Sequence, residues 1–360
     1  MGAGHVLQVT APAGSYLVRH EDSPDDGAAR RPGCPPRVRP GRGPYVSSPH
    51  HPPLPYSGTR SAPHLDPGVA GLDAPRPAPR RRLFGRGLTE GDPTPGPADV
   101  AAWTGYLAAP VPSPRRIGVI ALKGGVGKTT LSVLLASTLA RARRDPVLLF
   151  DTDTTFGSLA LRTGVPLQAS AHELAAAGDP GRFEVLAGAL ARSADGAWVL
   201  PSGRDPEQSA QLTEDVYVQA MNAVFKHVAV MVTDCGAGLA TPLMRRVVSG
   251  CHSLVLATSP SVDGLLASHN VLRWLRQSGF EALADRSIVA VTNVPAQGGA
   301  VDIAEARTRF AGLAGDFLTV PADRHLATGS QLHLEALDGR TRSAAIRLAA
   351  SALGAALATP

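Results

Sequence analysis

Residues 117–130 read Ile117-Gly118-Val119-Ile120-Ala121-Leu122-Lys123-Gly124-Gly125-Val126-Gly127-Lys128-Thr129-Thr130. Ile117 to Leu122 is an apolar run rich in β-branched residues, long enough for one buried strand. Gly124, Gly125 and Gly127 follow, then Lys128, Thr129 and Thr130. Leu131, Val133, Leu134, Leu135 and Leu139, with alanines between them, then read as a helix. Strand, glycine loop and helix together are the setting a phosphate-binding loop needs. Glycines let the backbone from Gly124 through Val126 to Thr130 bend so that its N–H groups face a polyphosphate. The helix start adds the positive end of its dipole. In such a loop Lys128 reaches the β- and γ-phosphates, and the Thr129 hydroxyl takes a Mg²⁺ ligand position. A glycine-rich turn with no ligand is the competing reading; the Gly-Lys-Thr ending and both flanks weigh against it. Leu122 stands where most such loops carry glycine or alanine.

Lysine usage points the same way. Of 35 Lys and Arg, only Lys123, Lys128 and Lys226 are lysines, so arginine is the default cation and two of the three exceptions lie in this loop. A compact ammonium fits among close backbone N–H groups where a planar guanidinium does not.

The octet Lys123-Gly-Gly-Val-Gly-Lys-Thr-Thr130 resembles the deviant Walker A motif of the MinD/ParA family of P-loop ATPases. The resemblance implies that Lys128 is the phosphate lysine. It also implies that Lys123 crosses to the partner's nucleotide when two subunits close face to face on ATP.

Composition separates a tail from a domain. Of 32 prolines, 22 lie at or before Pro114, in runs such as Arg31-Pro-Gly-Cys-Pro-Pro36 with no sustained period. Such a stretch cannot bury enough apolar surface to offset its ordering entropy. The expectation is a disordered Pro/Arg-rich tail over 1–98, a linker with a short helix over 99–114, and one α/β ATPase domain over 115–360. In the linker, Trp103 and Tyr106 share a helix face that could pack on the domain.

The net charge of +5 divides into +3 over residues 1–114 and +2 over the rest, so the domain is near neutral and gives no support for DNA binding. The Arg80-Arg81-Arg82 cluster reads as a solvated linker. Cys34, Cys235 and Cys251 form no CxxC pair, which fits a reducing cytosol and argues against an iron–sulfur relative. No signal peptide and no membrane span are expected.

Pro146 to Phe150 reads as a second strand ending in Asp151-Thr-Asp153, at the edge where doubly wound sheets bind ligands. Strand alternation leaves open which acid faces the phosphates. The family resemblance implies that Asp153 orients the attacking water and that Asp151 supports Mg²⁺ through water; acids that merely cap the next segment are the alternative. Partition proteins of the family usually continue with Pro-Gln-Gly, whereas this chain has Thr154-Thr-Phe-Gly-Ser158, which favours the MinD-like side.

Ser170 and Glu173 have capping-box spacing. Ala197–Leu200 reads as a strand, and a helix is expected from Thr213 to about Lys226 with Val216, Ala220, Ala223 and Val224 inward. Val228 to Thr233 is an apolar strand ending in Asp234, with Gly238 four residues on. This is a Walker B arrangement placing Asp234 near the Mg²⁺ shell. Thr241-Pro242 opens a helix, Ser253–Thr258 is a strand, and Val262 to about Gln277 an amphipathic helix. Ser287 to Thr292 leads to Asn293, which the resemblance makes an adenine contact; a turn-forming asparagine is the rival. Phe317–Val320 ends in Pro321-Ala-Asp323, a second wall for the base. The alanine-rich C-terminal helix, about 342–357, lacks bulky aromatics and a lysine-rich face, so packing on the sheet is expected over membrane binding.

Alternating strands and helices give a doubly wound α/β fold with a mainly parallel sheet. The expected function is a switch in which Mg²⁺ and ATP close a homodimer and hydrolysis opens it. Tail plus domain resembles actinobacterial MinD-like ATPases, including EspI-like proteins linked to type VII secretion. The partner expected is protein machinery for secretion or positioning. The place expected is the cytoplasm, with peripheral contact to the inner face of the plasma membrane left open, and DNA and lipid lack sequence support. The rivals are a chromosome-partition or cell-division positioning ATPase, a metabolic P-loop ligase or synthetase, and a scaffold that binds nucleotide without hydrolysing it.

Overall fold

The computed structural model of the chain describes residues 95–359, except 156, 167, 237, 240 and 296–300. The expected disordered tail lies outside the described residues as far as 94. Eight strands form one sheet: β1 (Arg115–Ile120), β2 (Val147–Thr152), β3 (Ala191–Arg192), β4 (Trp198–Leu200), β5 (Val230–Cys235), β6 (Ser253–Thr258), β7 (Ile288–Val294) and β8 (Asp316–Pro321). Their order is β3-β4-β2-β5-β1-β6-β7-β8, and every pairing is parallel except the β3–β4 hairpin. β1 lies inside the sheet, with β5 and β6 on its two sides, so the glycine loop leaves from the crevice where such folds bind ligands.

Strand alternation builds two cores. Val147 and Leu149 face the helix Lys128–Ala142 and the C-terminal helix Gly339–Leu357, joining Leu131, Leu135, Leu348 and Leu353. Leu148 and Phe150 face the opposite way, where Tyr217 and Met221 of the helix Glu214–Val224 meet them. The Phe150 and Tyr217 rings stack at 5.7 Å between centroids. Burying a large apolar side chain stabilises by about 1.5–3 kcal/mol, so both faces must be covered for these strands to be as apolar as they are.

Most expected elements are present, with shifted bounds. β2 and β5 run on through Asp151 and Asp234, so both acids belong to the ladder and do not follow it. The helix expected from Thr213 is capped by that residue and turns 3₁₀ at Phe225–His227; Tyr217 and Met221 are buried where Val216 is only partly so. The capping box of Ser170 and Glu173 closes the helix Ala171–Ala177. The helix expected after residue 99 spans Pro97–Ala108 and lies on the C-terminal helix. Leu107 is buried there, and Tyr106 covers Gly354, whose ideal Cβ would stand 3.1 Å from the ring. Buried Arg143 fixes its end, donating from Nη1 to the carbonyls of Leu107 and Ala109 at 2.7 and 2.9 Å. Among the described residues no helix is long and apolar enough to cross a membrane.

Candidate functional site

The glycine loop bridges β1 and the helix Lys128–Ala142. Gly125 and Gly127 have φ of +74° and +86°, a region that costs any residue with a Cβ. Their backbone therefore turns as a polyphosphate cradle requires. Thr292 staples the loop in place, its Oγ1 donating to the Val126 carbonyl at 2.8 Å, while the carbonyl of Thr258 at the end of β6 lies 3.2 Å away. Lys128 is buried at the start of the helix. Lys123 stands at the rim, its side chain 44% exposed.

Two carboxylates meet beneath the loop. Asp151 and Asp234 are register partners on the adjacent parallel strands β2 and β5, and both are buried. Their parity with Leu149 and Val232 turns them to the face that carries the loop's helix. Ser132 Oγ, one turn beyond Lys128, lies 3.0 Å from Asp234 Oδ1, and the Thr129 hydroxyl bonds the same carboxylate. Burial pushes Asp234 above the usual carboxylate range, opposed by these hydroxyls and by Lys128. Asp151 is pushed well up by burial first and by the Asp234 charge second. Two buried carboxylates side by side are costly unless a cation joins them.

That pairing tests the site for a metal. Hard carboxylate and hydroxyl oxygens suit Mg²⁺, which takes one or two carboxylates and completes its shell with phosphate and water. No cage of three or more His, Cys, Asp or Glu side chains exists among the described residues. The donor set of Thr129, Asp234 and Asp151 fits a nucleotide-bound Mg²⁺ and not an all-protein metal site.

Asp153 stands just past β2, half-buried. Its backbone N–H donates to Asp151 Oδ1 at 2.8 Å, and its own Oδ1 accepts from the N–H and hydroxyl of Thr155 at 2.9 and 2.6 Å. Gly236, after β5, faces it, with room for a Cβ only 3.4 Å from Asp153 Oδ1. The short helix Leu159–Thr163 ends this segment, tied down where Leu332 N–H donates to the Arg162 carbonyl at 2.8 Å. Both loop lysines and all three acids thus gather at the carboxyl edge of β1, β2 and β5.

The base-side residues lie further out. Asn293 is exposed at the end of β7 with φ +54°, where the β7–β8 register slips between Val291 and Val294. Asparagine tolerates this left-handed conformation better than most residues, so the turn-forming reading has a geometric basis of its own. Asp323 is buried and accepts from the N–H groups of His325, Leu326 and Asp338; it organises the loop after β8. Sequence reasoning missed Ser132, Thr292 and Asp263, which pairs with Lys123. Only Ser132 left a signal, a hydroxyl on an otherwise apolar helix one turn from Lys128.

Comparison with known proteins agrees with this architecture. The family model described as the CobQ/CobB/MinD/ParA nucleotide binding domain matches residues 117–305. The ESX-1 secretion-associated protein EspI of Mycobacterium tuberculosis is 30% identical over 238 residues, 66% of this chain and 36% of that protein. The chain therefore spans about a third of the length of this curated relative. A ParA family ATPase from Chlorobium tepidum superposes with a TM-score of 0.56 at 17% identity, covering 66% of this chain and 98% of that one. The septum site-determining protein MinD of Pyrococcus horikoshii, solved with Mg-ADP, gives 0.54 at 20% identity over 66% and 94%. The chain belongs to the CobQ/CobB/MinD/ParA family of nucleotide-binding domains.

Proposed function

We propose that the chain is a MinD/ParA-like ATPase whose homodimer closes on Mg-ATP and opens on hydrolysis, switching a protein partner between two states. The observation that carries this reading is the split of the loop lysines. One is buried beside the Asp151–Asp234 pair, and the other is exposed at the rim where a second protomer can be reached. In this reading Gly124 to Thr130 hold the phosphates of ATP through backbone N–H groups, and Lys128 neutralises the β- and γ-phosphates. Thr129 and Asp234 would hold Mg²⁺, with Asp151 behind them. When bound, the ion shields the phosphate charge and polarises the scissile bond. Asp153 orients the attacking water, and its tether to Thr155 keeps the carboxylate near Gly236. Catalysis of this kind is positioning and charge stabilisation, with no covalent step. Asn293 and the loop at Pro321 to Asp323 flank the base. Residues 115–360 form the ATPase domain, preceded by the helical linker and the proline-rich tail.

The likeness to EspI supports protein secretion as the setting, with cell positioning as the alternative. Release of phosphate from Mg-ATP, measured against protein concentration, tests the reading. A rate per chain that rises with concentration fits a dimeric ATPase. ATP binding without phosphate release at any concentration would leave only a nucleotide-binding scaffold.

A further inference from the structure

The rim of the loop holds a contact that phosphate binding alone does not require. Lys123 pairs its ammonium with the carboxylate of Asp263, and both side chains are well exposed, 44% and 69%. The two residues are 140 apart in sequence and meet because β6 lies beside β1. Asp263 sits in the first turn of the helix Val262–Gln277, capped by Ser261. The turn is built to present it. Ser261 Oγ donates to Asp263 Oδ1 at 2.8 Å, lies 2.8 Å from Ser259 Oγ, and accepts from Gly264 N–H at 3.2 Å. Gly264 leaves no space for a side chain, since an ideal Cβ would stand 2.4 Å from Ser259 Oγ.

We infer that Asp263 is a cis anchor for Lys123, holding the ammonium on its own protomer until a nucleotide-loaded second copy offers phosphate oxygens in its place. This rests on the reading of Lys123 as the residue that crosses between protomers. In this inference the ammonium leaves Asp263 to reach the partner's phosphates, so each protomer gives up one ion pair when the dimer closes. Exposed ion pairs are weak, so the anchor sets the ATP threshold for closure without preventing it. An acid in the first turn also complements the helix dipole. That role is indifferent to Lys123, and the experiment separates the two.

The full chain has three lysines, so carbon-labelled reductive methylation gives three lysine methyl signals to follow by NMR. In the nucleotide-free chain, Asp263→Asn moves the Lys123 signal and leaves those of Lys128 and Lys226 in place, while Asp263→Glu keeps Lys123 near its wild-type position. In Mg-ATP titrations of unmethylated protein followed by sedimentation, Asp263→Asn tightens dimerisation roughly two- to thirty-fold, from two weak pairs released per dimer. Asp263→Glu stays close to wild type. A Lys123 signal unmoved by Asp263→Asn overturns the anchor. Dimerisation that is unchanged or weakened by that substitution overturns it as well, weakening being the mark of an Asp263 contact inside the closed interface. A wild-type chain that never dimerises on Mg-ATP removes the switch reading and the threshold with it, while the Lys123 signal still reports the contact.

Discussion

Lys123 and Lys128 belong to one loop and sit in different physical settings. Lys128 is 9% exposed, at the start of a buried helix, within the field of the Asp234 carboxylate that Thr129 and Ser132 also reach. Lys123 is 44% exposed, on a single carboxylate that is itself exposed. The inner lysine has lost most of its freedom before any nucleotide arrives, so little ordering remains to oppose binding. The outer lysine has a weak partner it can leave. On the proposed reading, the contrast separates an inner half that binds from a rim that exchanges partners.

The sharpest way to break the contrast is through Asp153, half-buried just past β2. Asp153→Asn keeps an acceptor for Thr155 but removes the charge that, in the proposed mechanism, orients water. Steady-state phosphate release is expected to fall by roughly 10²–10⁴-fold, with ATP affinity within a few-fold of wild type. Equal losses in both would move Asp153 into the binding half. Next in size is Lys128→Ala, which on the proposed reading removes a charge-assisted phosphate contact worth about 1.5–3 kcal/mol. Calorimetric titration with Mg-ATP should show affinity weaker by roughly 10–150-fold in the monomer; an unchanged value would take the inner lysine out of the site.

Asp151→Asn probes the buried acids by stability. A carboxyl whose folded-state pKa is raised stabilises the fold below its unfolded pKa and loses that contribution as pH rises through the folded value. Both raised carboxyls are therefore unfavourable near neutrality in the nucleotide-free chain. Asp151→Asn should raise the thermal midpoint at about pH 8 by roughly 2–8 °C. The gain should shrink as pH falls towards about 4, where the wild-type carboxyl is protonated. A variant less stable at both pH values would mean that the pair is already neutralised inside the chain. The smallest effect belongs to the rim. Leu122→Ser changes a side chain 46% exposed, and should shift folding stability by under about 0.5 kcal/mol in denaturant titrations.

What could be read in advance follows the same division. Apolar runs such as Ile117–Leu122 and Ser253–Thr258 announce strands because both faces of a parallel sheet are buried, although β1 stops at Ile120 and leaves Leu122 exposed beyond it. The glycine loop was legible because its backbone conformation is nearly private to glycine. The helices Leu159–Thr163 and Pro206–Ala210 were not, since five residues carry too little period to detect. Strand alternation left the facing of Asp151 open until pairing with β5 set it beside Asp234. Asp263 was illegible because its meeting with Lys123 depends on strand order, which no local pattern encodes. From sequence Asn293 reads as a base contact or a turn former, and its left-handed backbone supplies a reason for the second without touching the first.

In the proposed switch the exposed lysine acts across a dimer. Sedimentation velocity of the full chain with saturating Mg²⁺ and a slowly hydrolysed ATP analogue, for wild type and Lys123→Ala, asks this directly. A wild-type dimer that Lys123→Ala reduces to a nucleotide-bound monomer is the predicted result. A chain that stays monomeric in both, or dimerises equally well without the Lys123 ammonium, would contradict it.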